Sequence, residues 1–429
     1  MRHWAPLGLA ALCILCSVPS GFAMQPADRA NAGFIYGEIE TRSGQTYRGF
    51  LRWGNQEAFW DDLFQSSKQD NPYLEDDWWK RYERDSRRAG RDRDRDRARN
   101  RDRRGFRWGD WNVRWGDEGR SSARIFVARF ADIEQIVVTG NNRGDIVMKS
   151  GTTYDVEGYS DDVGGKIHVD DQQLGKIELR WDRIETIRFM AAPRDADPGV
   201  RRLHGTVQTG SGEFQGFIQW DKQECTSADV LDGETEDGDV DIPMGRIRSI
   251  ERRSRRGAIV VLKDGREFEM RGTNDVNDDN RGIMVEDPRY GRVTIPWGEF
   301  DKVVFSDDAG SGRGYAEFEA HGALFGTVTD VDGESRIGRL VIDLDEAEGW
   351  EMLNGKMRDI AFDVPLELVA SIEPLGDASK VALRTGEEVE LEDGQDVSDR
   401  NAGVLVFLSD DRDPIYIPWR DVERIEFSH

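Results

Sequence analysis

Residues 293–305, "VTIPWGEFDKVVF", read as a strand, a tight turn at Pro-Trp and a further strand. The same phrase returns as "IYIPWRDVERIEF" at 415–427 and as "IELRWDRIETIRF" at 177–189. With Trp181, Trp297 and Trp419 in register, Ile184, Phe300 and Val422 coincide three residues on. Ile187, Val303 and Ile425 coincide at six, and Phe189, Phe305 and Phe427 at eight. Coincidence at so many spacings identifies internal repetition, which settles architecture before any local propensity does.

Working upstream, "MKSGTTYDVEG", "LKDGREFEMRG" and "LRTGEEVELEDG" align on Gly151, Gly265 and Gly386. A second triple begins at Gly37, Gly205 and Gly326. It carries further glycines at Gly44, Gly212 and Gly333, then at Gly49, Gly216 and Gly338. Four residues beyond those stand Trp53, Trp220 and Ile342, and four beyond these Glu57, Glu224 and Glu346. The two triples also resemble each other. "DIPMGRIRSI", "DVPLELVASI" and "TIPWGEFDKV" share one apolar spacing, and "ARFADIEQI" fits it without the proline. One module of about 50–60 residues therefore occurs six times, paired into repeats at 34–190, 200–306 and 320–429.

Each module alternates apolar and polar residues with period two, the signature of half-buried strands. "RSG" and "KDG" supply hairpin turns in which glycine takes positive φ. The glycine inside the next strand predicts a bulge or sharp bend. Proline ends the following strand because it cannot donate to a ladder. Apolar residues three apart then fit one 3₁₀ turn. The expected fold is all-β: three tandem repeats, each a pair of small five-stranded modules that resemble SH3-like or Sm-like barrels. That resemblance is to an architecture and implies no activity. "AAPRDADPG" at 191–199 and "SDDAGSGRGYA" at 306–316 have the composition of tethers between the repeats.

Repeat one departs from the pattern through an insertion at 65–122. It opens with "NPYLEDDWWKRYERDSRRAG", a candidate helix, passes through "RDRDRDRARNRDRRG", whose mixed charge predicts disorder, and ends in "FRWGDWNVRWG". As a recognition arm it would offer Arg93, Arg95 and Arg97 to phosphate or carboxylate. Trp78, Trp79, Trp108, Trp111 and Trp115 would supply stacking or fill an apolar groove. As a solvated loop, its arginines would lie on the acidic body. The expected partner is a protein or an anionic envelope component.

The first 23 residues combine Arg2 and His3, an apolar run and a small-residue site at Ala23, the pattern of a cleaved secretory signal. An exported protein, periplasmic or secreted, is expected. Cys13 and Cys16 fall within that signal, so Cys225 alone remains and no internal disulfide is expected. The apolar run is too short to span a bilayer comfortably, and no later one is long enough for a transmembrane helix. Formal charge is −25, and residues 80–107 carry fourteen basic against six acidic groups, leaving the remainder near −33. That balance argues against nucleic acid as the main partner.

Asp162, Asp275 and Asp396 recur in loops rich in carboxylates and amides. They would close Asx-turns, or serve as calcium ligands if a cofactor is used. Glu57, Glu224 and Glu346 would form ion pairs or join such a site. The matched tryptophans are expected in the core rather than on a sugar-binding platform. His168, His204, His321 and His429 do not recur, and no phosphate-cradling glycine loop is present. The favoured expectation is an exported, non-catalytic interaction or scaffold protein of the bacterial cell envelope. A glycan- or calcium-dependent binding module is the alternative, and a hydrolase using paired carboxylates stands behind both.

Overall fold

The structure is a computed structural model. It describes residues 31–54, 56–75, 106–108, 111–113, 124–158, 162–307, 309–409 and 412–428. The signal-like residues 1–23 lie outside that set.

The fold is all-β. In the first segment the strands are β1 (Tyr36–Thr41), β2 (Thr46–Trp53), β3 (Leu63–Lys68), β4 (Phe106–Trp108), β5 (Trp111–Val113), β6 (Arg124–Arg129), β7 (Ile133–Gly140), β8 (Arg143–Met148), β9 (Thr153–Glu157), β10 (Lys166–Asp171), β11 (Gly175–Arg180) and β12 (Ile184–Phe189). The second holds β13 (His204–Thr209), β14 (Gly212–Gln219), β15 (Val230–Thr235), β16 (Gly238–Pro243), β17 (Ile247–Ser254), β18 (Gly257–Leu262), β19 (Glu267–Arg271), β20 (Ile283–Asp287), β21 (Gly291–Ile295) and β22 (Phe300–Ser306). The third holds β23 (Phe325–Asp330), β24 (Ser335–Ile342), β25 (Met352–Met357), β26 (Ile360–Pro365), β27 (Val369–Pro374), β28 (Ala378–Leu383), β29 (Glu388–Glu392), β30 (Val404–Phe407), β31 (Ile415–Ile417) and β32 (Val422–Phe427).

All described pairings are antiparallel. In the first segment the order is β11-β10-β2-β1-β12-β7-β8-β9-β3-β6. The second runs β21-β20-β14-β13-β22-β17-β18-β19-β15-β16. The third runs β31-β30-β24-β23-β32-β27-β28-β29-β25-β26. Position by position, the three orders are the same.

The sheets are open, and no closed five-stranded barrel is found among the described residues. Nor is each half of a segment its own five-stranded unit. The β13–β14 hairpin pairs with β20 and β22 of the other half, while β18–β19 pairs with β15 and β17.

The strand glycines form no bulge either. Gly37 lies opposite Gly49, Gly205 opposite Gly216, and Gly326 opposite Gly338, in unbroken register. A Cβ on Gly49 would collide with the Asp170 carbonyl, and one on Gly216 with that of Glu286. These glycines allow backbones to approach closely. As expected, 3₁₀ turns precede the closing strands at Phe130–Asp132, Trp181–Arg183, Met244–Arg246, Leu366–Leu368 and Trp419–Asp421. Pro243 and Pro365 end their strands.

The stretches between segments are packed, not free tethers. Ser311 is buried and its hydroxyl accepts the Gly33 amide (3.1 Å). Tyr315 lies against Trp60, and its hydroxyl donates to the Ile133 carbonyl (2.9 Å). The second and third segments join edge to edge through β21 and β26 and share one apolar core. The first segment has its own core, into which Trp350 of the third segment inserts. The expected insertion at 65–122 overlaps β3, which sits between β6 and β9 in the sheet. A one-turn helix, Pro72–Glu75, is what is described of the candidate helix.

Candidate functional site

The matched aromatic residues are core. Trp53, Trp181, Trp220, Trp297 and Trp419 are all buried and offer no platform to a sugar. Trp53 Nε1 donates to the Asp162 carbonyl (2.8 Å) and Trp220 Nε1 to that of Asp275 (2.9 Å). Where the third segment has Ile342 instead, the Asn401 amide donates to the Asp396 carbonyl (2.8 Å). The acceptor is thus filled in every segment, as burial requires.

The three matched aspartates accept amides from distant strands. Asp162 Oδ2 accepts the Gln65 amide (2.8 Å), Asp275 Oδ2 that of Asp232 (2.9 Å), and Asp396 Oδ2 that of Asn354 (2.7 Å). Each ties its loop to the strand of the other half. The matched glutamates come to these aspartates. Asp221, Glu224 and Asp275 bring carboxylate oxygens within 4.8 Å of one another, as do Asp343, Asp345 and Glu346. Among the described residues, Glu57, Glu224 and Glu346 make no ion pair within 4 Å, which corrects their expected role as salt-bridge partners. Burial instead raises all three: Glu224 to about 8, Glu57 and Glu346 well above the carboxylate range. Burial also lifts Asp275 to about 7, and Asp396 rises well above its usual value.

The clusters differ in what opposes their charge. Asp221, at φ 48°, receives Arg281 Nη2 at 2.6 Å. Asp343, at φ 47°, receives Arg124 Nη1 of the first segment at 2.8 Å. Gly54 takes the equivalent left-handed position in the first segment, leaving Glu57 and Asp162 with one acid fewer.

A second set of acids stands at fixed spacing in the three segments. Five residues beyond each matched glutamate stand Asp62, Asp229 and Glu351. Asp62 accepts the Ala58 and Phe59 amides (2.7 and 2.9 Å), and Asp229 those of Cys225 and Thr226 (2.9 and 2.8 Å). Glu351 accepts those of Ala347 and Glu348 (2.5 and 2.9 Å). Each also receives a cation from another segment: Asp62 from Arg292 (3.0 Å), Asp229 from Arg52 (3.4 Å) and Glu351 from Lys68 (2.6 Å). Burial opposes charge on Lys68, but Glu351 and Asp345 outweigh it and hold the ammonium firmly protonated.

A cavity of about 630 Å³ lies where the three segments meet, and Arg292, the cation on Asp62, lines it. Arg129 reaches its wall from the first segment, buried between Asp132 (2.7 Å) and Glu367 (2.6 Å). Glu367 is raised by burial, yet His321 and Arg129 together bring it down to about 2. Cys225 is buried near Phe34 and Phe59, and burial pushes its thiol well up.

Of the expected partner-binding residues, Trp78, Trp79, Arg93, Arg95, Arg97 and Trp115 lie outside the described residues. Trp108 is the register partner of Trp111 in the small β4–β5 ladder. No helix among the described residues is long and apolar enough to cross a membrane. No protein-family profile matches the chain, and no curated protein or solved structure is significantly similar to it.

Proposed function

We propose that the chain is an exported, non-catalytic scaffold and interaction protein of the bacterial cell envelope. Its common strand order and matched residues are read as triplication of a paired SH3-like module whose halves exchange hairpins. One observation carries the reading. Two of the three acid sets that recur, Asp162, Asp275 and Asp396 and Asp62, Asp229 and Glu351, are spent on backbone amides and inter-segment ion pairs. A reaction centre would leave such groups aimed at a substrate. The partner, a protein or an anionic envelope component, meets the arginine- and tryptophan-rich arm that leaves the sheet between β3 and β6. A pull-down from envelope extract compares the intact chain with one in which a short Gly-Ser loop replaces 76–123. That deletion spares β3 and Lys68. A partner captured by the intact chain and lost with the arm supports the reading, and equal capture removes the arm from it.

A second reading, a divalent cation at Asp221, Glu224 and Asp275, has one observation in its favour: Glu224 Oε2 is buried and accepts no hydrogen bond. Oxygen-only ligands suit calcium. Binding there raises the apparent Tm with millimolar calcium, and Asp275→Asn cancels the rise. An unchanged Tm removes calcium from the account.

A further inference from the structure

The central cavity is floored by a row of side chains in lateral register across five strands. His204 lies opposite Phe217, Phe217 opposite Glu286, Glu286 opposite Arg292, and Arg292 opposite Asp363. Residues paired in this way share one face of a sheet. The row crosses the β21–β26 seam, so the second and third segments build it jointly. Leu63 and Arg129 of the first segment, together with Phe318 and Met352, supply walls. None of these positions belongs to the recurring set.

Six acids line the space: Asp61, Glu286, Asp287, Glu317, Asp363 and Glu367. They face three arginines, Arg129, Arg292 and Arg313, while Asp61 is bridged by Arg202 (2.6 Å) and Asp287 by Arg289 (2.7 Å) from outside the lining. Two of the arginines are already committed to carboxylates. Arg292 is held by Asp62 (3.0 Å) and Glu286, and Arg129 by Asp132 and Glu367. Arg313 lies over the Phe318 ring (4.1 Å) and donates to the Glu317 carbonyl (2.6 Å). At Arg129 and Arg292 an incoming anion would have to displace those carboxylates, which leaves Arg313 as the one lining arginine not held by a carboxylate among the described residues. Asp363 differs from its neighbours. It is 4% exposed, accepts one hydrogen bond from the Asn354 amide (2.7 Å) and makes no ion pair within 4 Å among the described residues. Burial raises it to about 6, and raises Glu286 to about 7. A buried carboxylate short of cations is completed by a positive ligand.

We propose that the cavity binds a small organic cation, an amine carrying an apolar body, with Asp363 as its anionic contact and Phe217, Phe318 and Met352 around the apolar part. The volume falls within the roughly 300–1,000 Å³ of ordinary small-molecule sites, which favour junctions between folded units. This goes beyond the scaffold reading and does not use the arm, so loss of one leaves the other standing.

The test uses the full chain in calorimetric titration with tyramine and with phenylacetate, which share an aromatic body and differ in charge. Spermidine and choline extend the amine series. The expected result is one-to-one amine binding, with no binding of phenylacetate. At pH 6.5, heats in two buffers of different ionisation enthalpy report proton release as the carboxyls ionise against the ligand. Asp363→Asn weakens amine binding by about tenfold or more, while surface Glu423→Gln leaves it unchanged. Should Asp363→Asn fold poorly, Phe318→Ala serves as the second variant, with the same loss expected. Tighter binding of phenylacetate overturns the proposal. So does an absence of amine binding at millimolar concentration, or amine binding indifferent to both variants.

Discussion

At the scale of single residues, the same carboxylate chemistry serves two ends. Asp62, Asp229 and Glu351 are satisfied acids: two backbone amides and a cation each. Glu224 is not, and the fold bears a cost for it that depends on pH. Its pKa is about 8 in the fold, raised first by burial and then by Asp275, against roughly 4.3 in an unfolded chain. Between those values the unfolded chain gives up the proton and the folded chain keeps it. Stability from this group is therefore full below about pH 4 and declines as pH rises towards 8. Gln cannot titrate. Glu224→Gln should gain Tm relative to the parent as pH goes from 5 to 8, with little gain at the acid end. After discounting for the partial exposure of the side chain, the gain is on the order of 1 kcal/mol, or roughly 1–2 °C for a body of this size that unfolds as one unit. Thermal melts of both proteins across that range check it, and a difference independent of pH would contradict the assignment.

At the scale of elements, the paired glycines decide how closely strands cross. Gly37 and Gly49 face each other in β1 and β2, and the Asp170 carbonyl of β10 occupies the space a Gly49 side chain would need. Gly49→Ala must push β10 away from β2, at a cost of about 1–3 kcal/mol of overpacking. Gly44→Ala also loses stability, from its positive φ of 77°, but meets no neighbouring atom. Denaturant titration of the two variants separates collision from backbone strain, because amide exchange in β10 should quicken only in Gly49→Ala. The glycines, the tryptophans, the hairpins and the 3₁₀ turns were all readable, because each leaves its mark within a few residues. Hairpin exchange was not. Whether β14 pairs with β15 or β20 depends on edges that carry the same pattern in both halves. Asp62, Asp229 and Glu351 were readable by their constant spacing. Their partners Arg292, Arg52 and Lys68 were not, since they stand at unrelated positions in other segments. The cavity floor was hidden for the same reason, because the β21–β26 pairing that brings Arg292 beside Asp363 has no local signature.

At the scale of the whole molecule, the three segments read as separable domains, yet they are joined through charges that cannot be left alone. Lys68 of β3 lies buried between Glu351 and Asp345 of the third segment, and Arg124 of β6 reaches Asp343 beside them. Arg202 and Arg292 of the second segment reach Asp61 and Asp62 of the first. Every segment thus depends on both others. Trp350 adds to this by completing the core of a segment to which it does not belong. Such coupling predicts one calorimetric unfolding transition for the described body, where tethered domains would give up to three. Lys68→Met tests the coupling directly. It keeps the side-chain length and removes the charge, leaving Glu351 without its cation and Asp345 with Arg124 alone (3.6 Å), at a cost of about 3–5 kcal/mol. If the segments unfold together, the entire transition moves to lower temperature. If the first segment instead melts alone while the β21–β26 unit keeps the parent's Tm, the body is not cooperative. The cavity then opens before the sheet that floors it unfolds, and ligand protection would be seen in the first transition only.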